Sequence, residues 1–357
     1  MIWHTLRGHT RQVEMFRRAV QRGRLAHGFL LVGPPGIGKL RFARLIAQCL
    51  FCTQRTPDQL DACGTCPSCK QVKAGSHPDL LIVARPEGKQ ELPIDLLIGP
   101  PDRRGREGLC HDLALRPMTA SRRVAIIDDA HTMNDASANA LLKTLEEPPA
   151  GALLFLTAPE SESILPTIRS RCQPILFSPL SPEDITELLI EQGIETDRTQ
   201  AAAIAALCEG SLETAAQLQS PELRAIRSNV YRQLALADFD SLGASKHFQE
   251  TLEGQGKDPA TQRKAALWLV RFAADFYRRL LGAGCLSSPA EAASIEATLS
   301  RFASDDAVAF DRWGLMLDRC LEAETQLRES MPVPLCLDAF CHDLGRVGRG
   351  ALHGVSQ

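Results

Sequence analysis

No stretch of this 357-residue sequence approaches the roughly 20 apolar residues that a membrane-spanning helix requires. The opening Met1-Ile2-Trp3-His4-Thr5-Leu6-Arg7 also lacks the apolar run of an export signal. Both absences lead us to expect a cytoplasmic protein with no membrane partner. Large net charge is missing too. Lys and Arg number 40 against 43 Asp and Glu, a formal charge of −3. That balance excludes coating of nucleic acid by bulk electrostatics, although it leaves local patches open. One such patch is Arg7, Arg11, Arg17, Arg18, Arg22 and Arg24, opposed only by Glu14. It reads either as a solvated helix face or as a contact to phosphate or a partner. Short-period repeats and low-complexity segments are absent as well.

Twelve cysteines are present, and a cytoplasmic compartment argues against a disulfide framework. Eight are scattered and read as small buried hydrophobes. The other four are Cys52, Cys63, Cys66 and Cys69, in the pattern C-x10-C-x2-C-x2-C. Four thiolates with two short spacings suit tetrahedral Zn²⁺. With no open coordination position, such a metal is structural rather than catalytic. The other reading is four free thiols in an exposed polar loop, open to oxidation. His77 is a spare candidate ligand.

The length calls for two or three domains. Apolar positions at helical spacing predict a helix over residues 10 to 22, and Phe29–Val32 predicts a buried strand ending at Gly33. A helix with Phe42, Ala43, Ile46, Ala47 and Leu50 inward follows. Residues 52 to 78 read as polar, and Leu80–Val83 as a second buried strand. Residues 85 to 121 are rich in Pro, Gly and Arg and read as a long loop with one helix near 106 to 116. Val124–Ile127 is a third strand, residues 135 to 147 a helix stopped by Pro148-Pro149, and Leu153–Leu156 and Ile175–Phe177 two more strands. Alternating strands and helices predict a parallel sheet covered on both faces. Beyond Phe177 the strands stop. Ser181-Pro182-Glu183-Asp184 opens the first of three helices, over 182 to 192, 198 to 208 and 211 to 219. Residues 222 to 345 read as mostly helical, with Leu269, Phe272, Phe276 and Leu280 on a core stripe. Disorder is expected in the last few residues.

Gly33-Pro34-Pro35-Gly36-Ile37-Gly38-Lys39 follows a strand and opens a helix, the context a P-loop requires. Gly33, Gly36 and Gly38 let backbone N–H groups turn toward phosphates at a helix N-terminus, and Lys39 would reach the terminal phosphates. Leu40 stands where the pattern asks for a Ser or Thr hydroxyl on Mg²⁺. The second half of such a site is a strand ending in acids. Val124-Ala125-Ile126-Ile127-Asp128-Asp129 fits, with Asp128 where the acid that helps hold Mg²⁺ belongs.

Two further motifs carry a family resemblance. Asn139-Ala140-Leu141-Leu142-Lys143-Thr144-Leu145-Glu146-Glu147-Pro148-Pro149 closely resembles the segment that bacterial clamp-loader subunits carry after their acidic strand. Ser170-Arg171-Cys172 resembles their tripeptide before the last strand. The chain thus resembles the delta-prime type of subunit of bacterial DNA polymerase III clamp loaders, of the AAA+ family. The resemblance is strong over residues 1 to about 220 and rests on length and helical character beyond. It implies an α/β plus all-α chain. Residues 1–178 would be an AAA+ P-loop domain with a zinc-binding insertion at 52–69, and residues 179–220 a small helical lid. Residues 221–345 would be a helical oligomerisation collar, followed by a tail at 346–357.

It also implies roles. Arg171 would act in trans on ATP held by a neighbouring subunit, as a guanidinium that stabilises transition-state charge. Thr157 would match the polar residue that senses the terminal phosphate, although a threonine ending a strand needs no such role. Asp129 stands where AAA+ ATPases place Glu, one methylene short. Glu213, in Gly210-Ser211-Leu212-Glu213, replaces an arginine that touches ATP in hydrolysing subunits. Leu40, Asp129 and Glu213 all depart toward lost catalysis. They point to a delta-prime-like subunit that does not hydrolyse ATP and binds it weakly or not at all. Its partners would be the gamma/tau and delta subunits and, through the complex, the sliding clamp and primer-template DNA. The alternatives are an active AAA+ ATPase of gamma/tau or helicase-loader type, and a zinc-dependent nucleic-acid-binding protein. Fold alone does not separate these classes.

Overall fold

Five short apolar runs, rich in Leu, Val, Ile and Phe, form the strands of one parallel sheet. The computed structural model describes residues 2–86, 89, 91–236, 238–256, 258–282, 289–302, 306–329 and 331–349. The disorder expected at the end of the tail falls outside them. In chain order the first elements are α1 (Thr10–Gln21), β1 (Gly28–Val32), α2 (Lys39–Phe51), α3 (Pro67–Ala74), β2 (Leu80–Val83), α4 (Asp95–Ile98) and α5 (Leu109–Ala114). They continue with β3 (Arg123–Ile127), α6 (Asp135–Glu146), β4 (Ala152–Ala158), α7 (Pro166–Arg169) and β5 (Gln173–Leu176). The sheet order is β2-β3-β4-β1-β5, and every pairing is parallel.

β1, β3 and β4 read as apolar runs because the sheet is buried on both faces there, whereas the edge strand β5 runs over Gln173–Leu176 rather than Ile175–Phe177 and exposes all but Ile175. Phe29 and Leu31 point into one core with Phe16 of α1 and Phe42 of α2. Leu30 and Val32, one residue out of step, point into the other with Leu97, Leu113, Leu141 and Ile168 of α4 to α7. Val124 and Ile126 of β3 alternate with Ala125 and Ile127 in the same way. Each fully buried Phe or Leu contributes about 1.5–3 kcal/mol.

Two short helices lie where composition alone read polar or irregular chain. Residues 52 to 78 contain α3, opened by Cys66 as its cap with Pro67 in the first turn and closed by Gly75. Cys52, Cys66 and Cys69 are buried, while most of the residues around them are exposed, as the polar composition suggests. Residues 85 to 121 hold α5 within the expected 106 to 116 and, in addition, α4, which buries Leu97 and is closed by Gly99. Four-residue helices carry too little periodicity to be read from sequence.

The remaining helices are α8 (Pro182–Glu191), α9 (Arg198–Leu207), α10 (Leu212–Gln217), α11 (Pro221–Leu234), α12 (Ser241–Glu253), α13 (Pro259–Leu280), α14 (Pro289–Phe302), α15 (Asp306–Arg328) and α16 (Val333–Gly348). The Asp184 amide donates to Ser181 Oγ at 3.1 Å, the expected start signal of α8. The chain divides into two compact units. One is Met1–Asp184 with Gly210–Glu213, and the other is Ile185–Glu209 with Thr214–Gln357. In the second unit the stripe Leu269, Phe272, Phe276 and Leu280 of α13 is core. Beside it, buried Asp275 accepts from Arg279 Nε at 2.9 Å, from Arg227 and from the Tyr231 hydroxyl. Among the described residues, no helix is long and apolar enough to cross a membrane.

Candidate functional site

In an open parallel sheet, ligand sites form outside the carboxyl ends of the strands. The P-loop leaves β1 there, with the Gly33 amide still donating to Ala158 O of β4 at 3.1 Å. Gly36 has φ +72°, and a Cβ on it would collide with Ser211 Oγ and lie 2.6 Å from Glu213 Cβ. The Leu212 amide donates to Gly36 O at 3.0 Å. Segment 210–213 is therefore seated on the loop, and only glycine permits the approach. His9, absent from the sequence reading, is buried beneath the same loop, with Nε2 2.7 Å from Ile37 O. A lone histidine in a first turn gave no signal of this contact.

Lys39 is buried, and its Nζ donates to Gly33 O and Pro34 O at 2.6 Å each. The loop's carbonyls thus hold its ammonium. Burial pulls its pKa below the ordinary lysine value, against the opposing fields of Asp128, Asp129 and Glu213. Asp128 and Asp129 follow β3, and Thr157 lies near the end of the neighbouring β4. Thr157 Oγ1 donates to Asp128 Oδ1 at 2.6 Å and accepts from the Asp129 amide at 3.0 Å. Asp129 has φ +54°, an uncommon conformation for a non-glycine residue. Leu40 packs against the apolar core and offers no oxygen. The expected P-loop, acidic and threonine positions thus meet at one end of the sheet, with Glu213 among them. The donor set fits Mg²⁺-bound ATP poorly. One metal ligand is a hydrocarbon, and a carboxylate stands beside the loop.

Arg171 is not part of this group. It precedes β5, whereas the P-loop follows β1, which runs parallel to β5. The two lie at opposite ends of strands spanning about 13–16 Å. Arg171 Nη2 pairs with Glu146 Oε1 at 2.7 Å, and Nη1 donates to Thr167 O at 2.8 Å. Both side chains are partly exposed. Glu146 lay inside the quoted motif, but nothing in its spacing marked it as the partner of Arg171.

The four cysteines do converge. Their Sγ atoms all lie within 4.8 Å of one another, and Cys63 and Cys69 are 3.9 Å apart. Zn–S bonds of about 2.3 Å in a tetrahedron require S···S separations of about 3.8 Å. Amides already point at the sulfurs: Cys63 N to Cys52 Sγ at 3.4 Å and Cys66 N to Cys63 Sγ at 3.3 Å. Bonds from Thr65 and Cys66 hold the Cys63 thiol down to about 6. Burial pushes the Cys69 thiol up, the penalty a bound cation would remove. The residues fit structural zinc. His77 is not a ligand. Its Nδ1 accepts from the Asp79 amide at 3.1 Å and its Nε2 lies 3.0 Å from Ser68 Oγ, so both nitrogens are committed.

A P-loop between β1 and α2, an acidic end on β3 and the order β2-β3-β4-β1-β5 define a P-loop protein of AAA+ architecture. Residues 8–181 match the family model described as DNA polymerase III, delta subunit. DNA polymerase III subunit delta' of Escherichia coli (strain K12) is 35% identical over 187 residues, 52% of each chain. That of Bacillus subtilis (strain 168) is 32% identical over 184 residues, again 52% of each. DNA polymerase III subunit gamma/tau of Mycoplasma genitalium is 32% identical over 200 residues, 54% of this chain and 31% of its own. A solved DNA polymerase III gamma subunit-related protein from Thermotoga maritima aligns over 95% of this chain and 100% of its own, at 17% identity and TM-score 0.39. The chain spans about half the length of the curated relatives it matches. Over residues 8–181 the chain is similar to bacterial DNA polymerase III clamp-loader subunits, those named delta' among them.

Proposed function

We propose that this chain is a delta-prime-type subunit that does not hydrolyse ATP and that completes a neighbouring subunit's ATP site with Arg171. The observation that carries the first half is Lys39. Its ammonium is bound by the P-loop's own Gly33 and Pro34 carbonyls, with Glu213 close to the loop. Nucleotide would have to displace those bonds and approach a carboxylate. Leu40 supplies no metal ligand, and Asp129 is too short to orient an attacking water as Glu does.

The second half is supported by the position of Arg171, at the sheet end remote from its own P-loop and partly exposed. A guanidinium there is suited to a nucleotide on another chain, where its planar fork would meet charge developing on the terminal phosphate. On this reading residues 179–220 act as the lid and 221–345 as the oligomerisation collar. The partners are gamma/tau and delta subunits, and the complex loads the sliding clamp onto primer-template DNA. Zinc on Cys52, Cys63, Cys66 and Cys69 cross-links the insertion and takes no part in chemistry.

The matches to gamma/tau subunits and the retained Lys39 favour a second reading, an active ATPase. One experiment separates the two. The chain is assayed for ATP turnover alone and after mixing with the other clamp-loader subunits, as wild type and as Arg171→Ala. The proposal expects no turnover alone and reduced turnover in the complex carrying Arg171→Ala. Turnover by the isolated chain that Lys39→Ala abolishes would establish the active-ATPase reading instead.

A further inference from the structure

Three buried residues run in line from the cysteine cluster to a surface loop. Ser68 sits in α3 between Cys66 and Cys69, and its Oγ meets His77 Nε2 at 3.0 Å. The Asp79 amide donates to His77 Nδ1 at 3.1 Å, so Nδ1 is bare and Nε2 carries the proton donated to Ser68. A second contact reaches the same ring: Phe51, next to Cys52, stacks on His77 with centroids 4.5 Å apart. Beyond His77, the Asp79 carboxylate collects the amides of Met118, Thr119 and Ala120 at 2.7, 2.8 and 2.9 Å, and the Thr119 hydroxyl at 3.0 Å.

Ala120 packs against the core at the end of the loop, but the residues before it are less well held. Leu115 is 47% and Met118 72% exposed, so apolar packing does not fix their backbone. At the other end, α3 has only eight residues, too few to stand without outside support. Its cap Cys66 and Cys69 of its first turn are two of the four cysteines, so a metal there fixes the turn that positions Ser68.

We infer that the cysteine cluster and loop 116–120 form one coupled unit, joined through Ser68, His77 and Asp79, so that zinc on the cysteines orders the loop. The coupling rests on the reading of the cluster as a zinc site. It gives the metal a reach beyond its own insertion, to the backbone that presents Leu115 and Met118 at the surface. Coupling between two sites is reciprocal. If zinc tightens the loop, breaking the relay must weaken zinc by the same factor.

The test is hydrogen–deuterium exchange on the full chain, zinc-loaded and after chelation, with metal content measured alongside. The amides of Met118, Thr119 and Ala120 should exchange roughly tenfold faster without zinc, the scale of one lost hydrogen bond in a local opening. Amides of β4 should not change. His77→Phe keeps the stacking ring but removes both nitrogens. It should speed exchange at the same three amides and lower zinc affinity about tenfold in competition with a chromogenic chelator. Ser68→Ala, which retains every cysteine, should behave likewise and serves if His77→Phe does not fold. A wild-type chain that takes up no zinc overturns the metal assignment and the coupling together. A chain that binds zinc but shows unchanged loop exchange on chelation, or unchanged zinc affinity in both variants, overturns the coupling alone.

Discussion

Lys39, Asp79 and Arg171 show how one side chain's partners decide its role. Lys39 looks like a phosphate ligand by position, yet it is a strut between two loop carbonyls. Lys39→Ala should therefore destabilise the isolated chain by about 1–2 kcal/mol, read by urea unfolding without nucleotide. A lysine that served only nucleotide would leave that curve unmoved. Asp79 is buried, which would raise its pKa. Bonds from the Met118, Ala120 and Thr119 amides outweigh that and lower it. A carboxyl lowered on folding contributes stability that is fully present above its unfolded value of about 3.9. That contribution is lost as pH falls through the folded value. Loop 116–120 should loosen in acid below about pH 4, followed by amide exchange, whereas Asp79→Asn should already be loose at pH 7. Arg171 pairs with Glu146 in a partly exposed bridge worth about 0.2–1 kcal/mol. Arg171→Ala should thus leave folding and assembly nearly intact while lowering ATPase and clamp-loading rates of the complex. Trans arginines contribute about 10³-fold or more in related transfers, and one site among several would show less. Arg171→Lys keeps charge without the fork and should rescue only in part. Normal loading by the Ala variant would make Arg171 a structural residue.

Among the elements, the insertion at 52–69 joins the core of one sheet face through Leu60, Ala62, Cys66 and Cys69. Its ligands are local in sequence, and its only regular helix is α3. Cys66→Ser should release zinc and expose the insertion to proteolysis while the far-UV spectrum of the rest persists, because structural zinc supplies folding energy where its ligands are. Elemental analysis should find one zinc per chain. A metal-free chain with these four thiols freely titratable would refute the site. The strands behave differently. Phe155 and Leu154 sit in opposite cores, so trimming either opens a cavity that the whole sheet must absorb.

At the scale of the whole molecule, the isolated chain should turn over no ATP above background, with or without DNA. Leu40→Thr alone should not restore turnover, because Asp129 and Glu213 remain. A single substitution that did so would show the other two departures to be harmless. This expectation belongs to the assembled protein as much as to the site. On the proposed reading, a chain that supplies an arginine but no turnover would have its effect only inside a complex.

Much of this was legible before any coordinates. The strands and most helices followed from hydrophobic runs and their periods, which are local properties. The P-loop, the acidic strand end and the cysteine spacing are short motifs; the first two lie at one end of the sheet, and the four cysteines gather in a separate cluster. What sequence could not convey is which neighbour each polar group meets. His77 looked like a spare metal ligand, but the Asp79 amide takes its Nδ1 and Ser68 of α3 meets its Nε2. Glu146 lies 25 residues before Arg171, and α6 and α7 had to fold onto one face of the sheet before the two could pair. Segment 210–213 reaches Gly36 across more than 170 residues. Residue type and local spacing set the elements and the motifs. Hydrogen bonds between segments distant in sequence set the partners, because a donor's choice depends on what the fold leaves within about 3 Å.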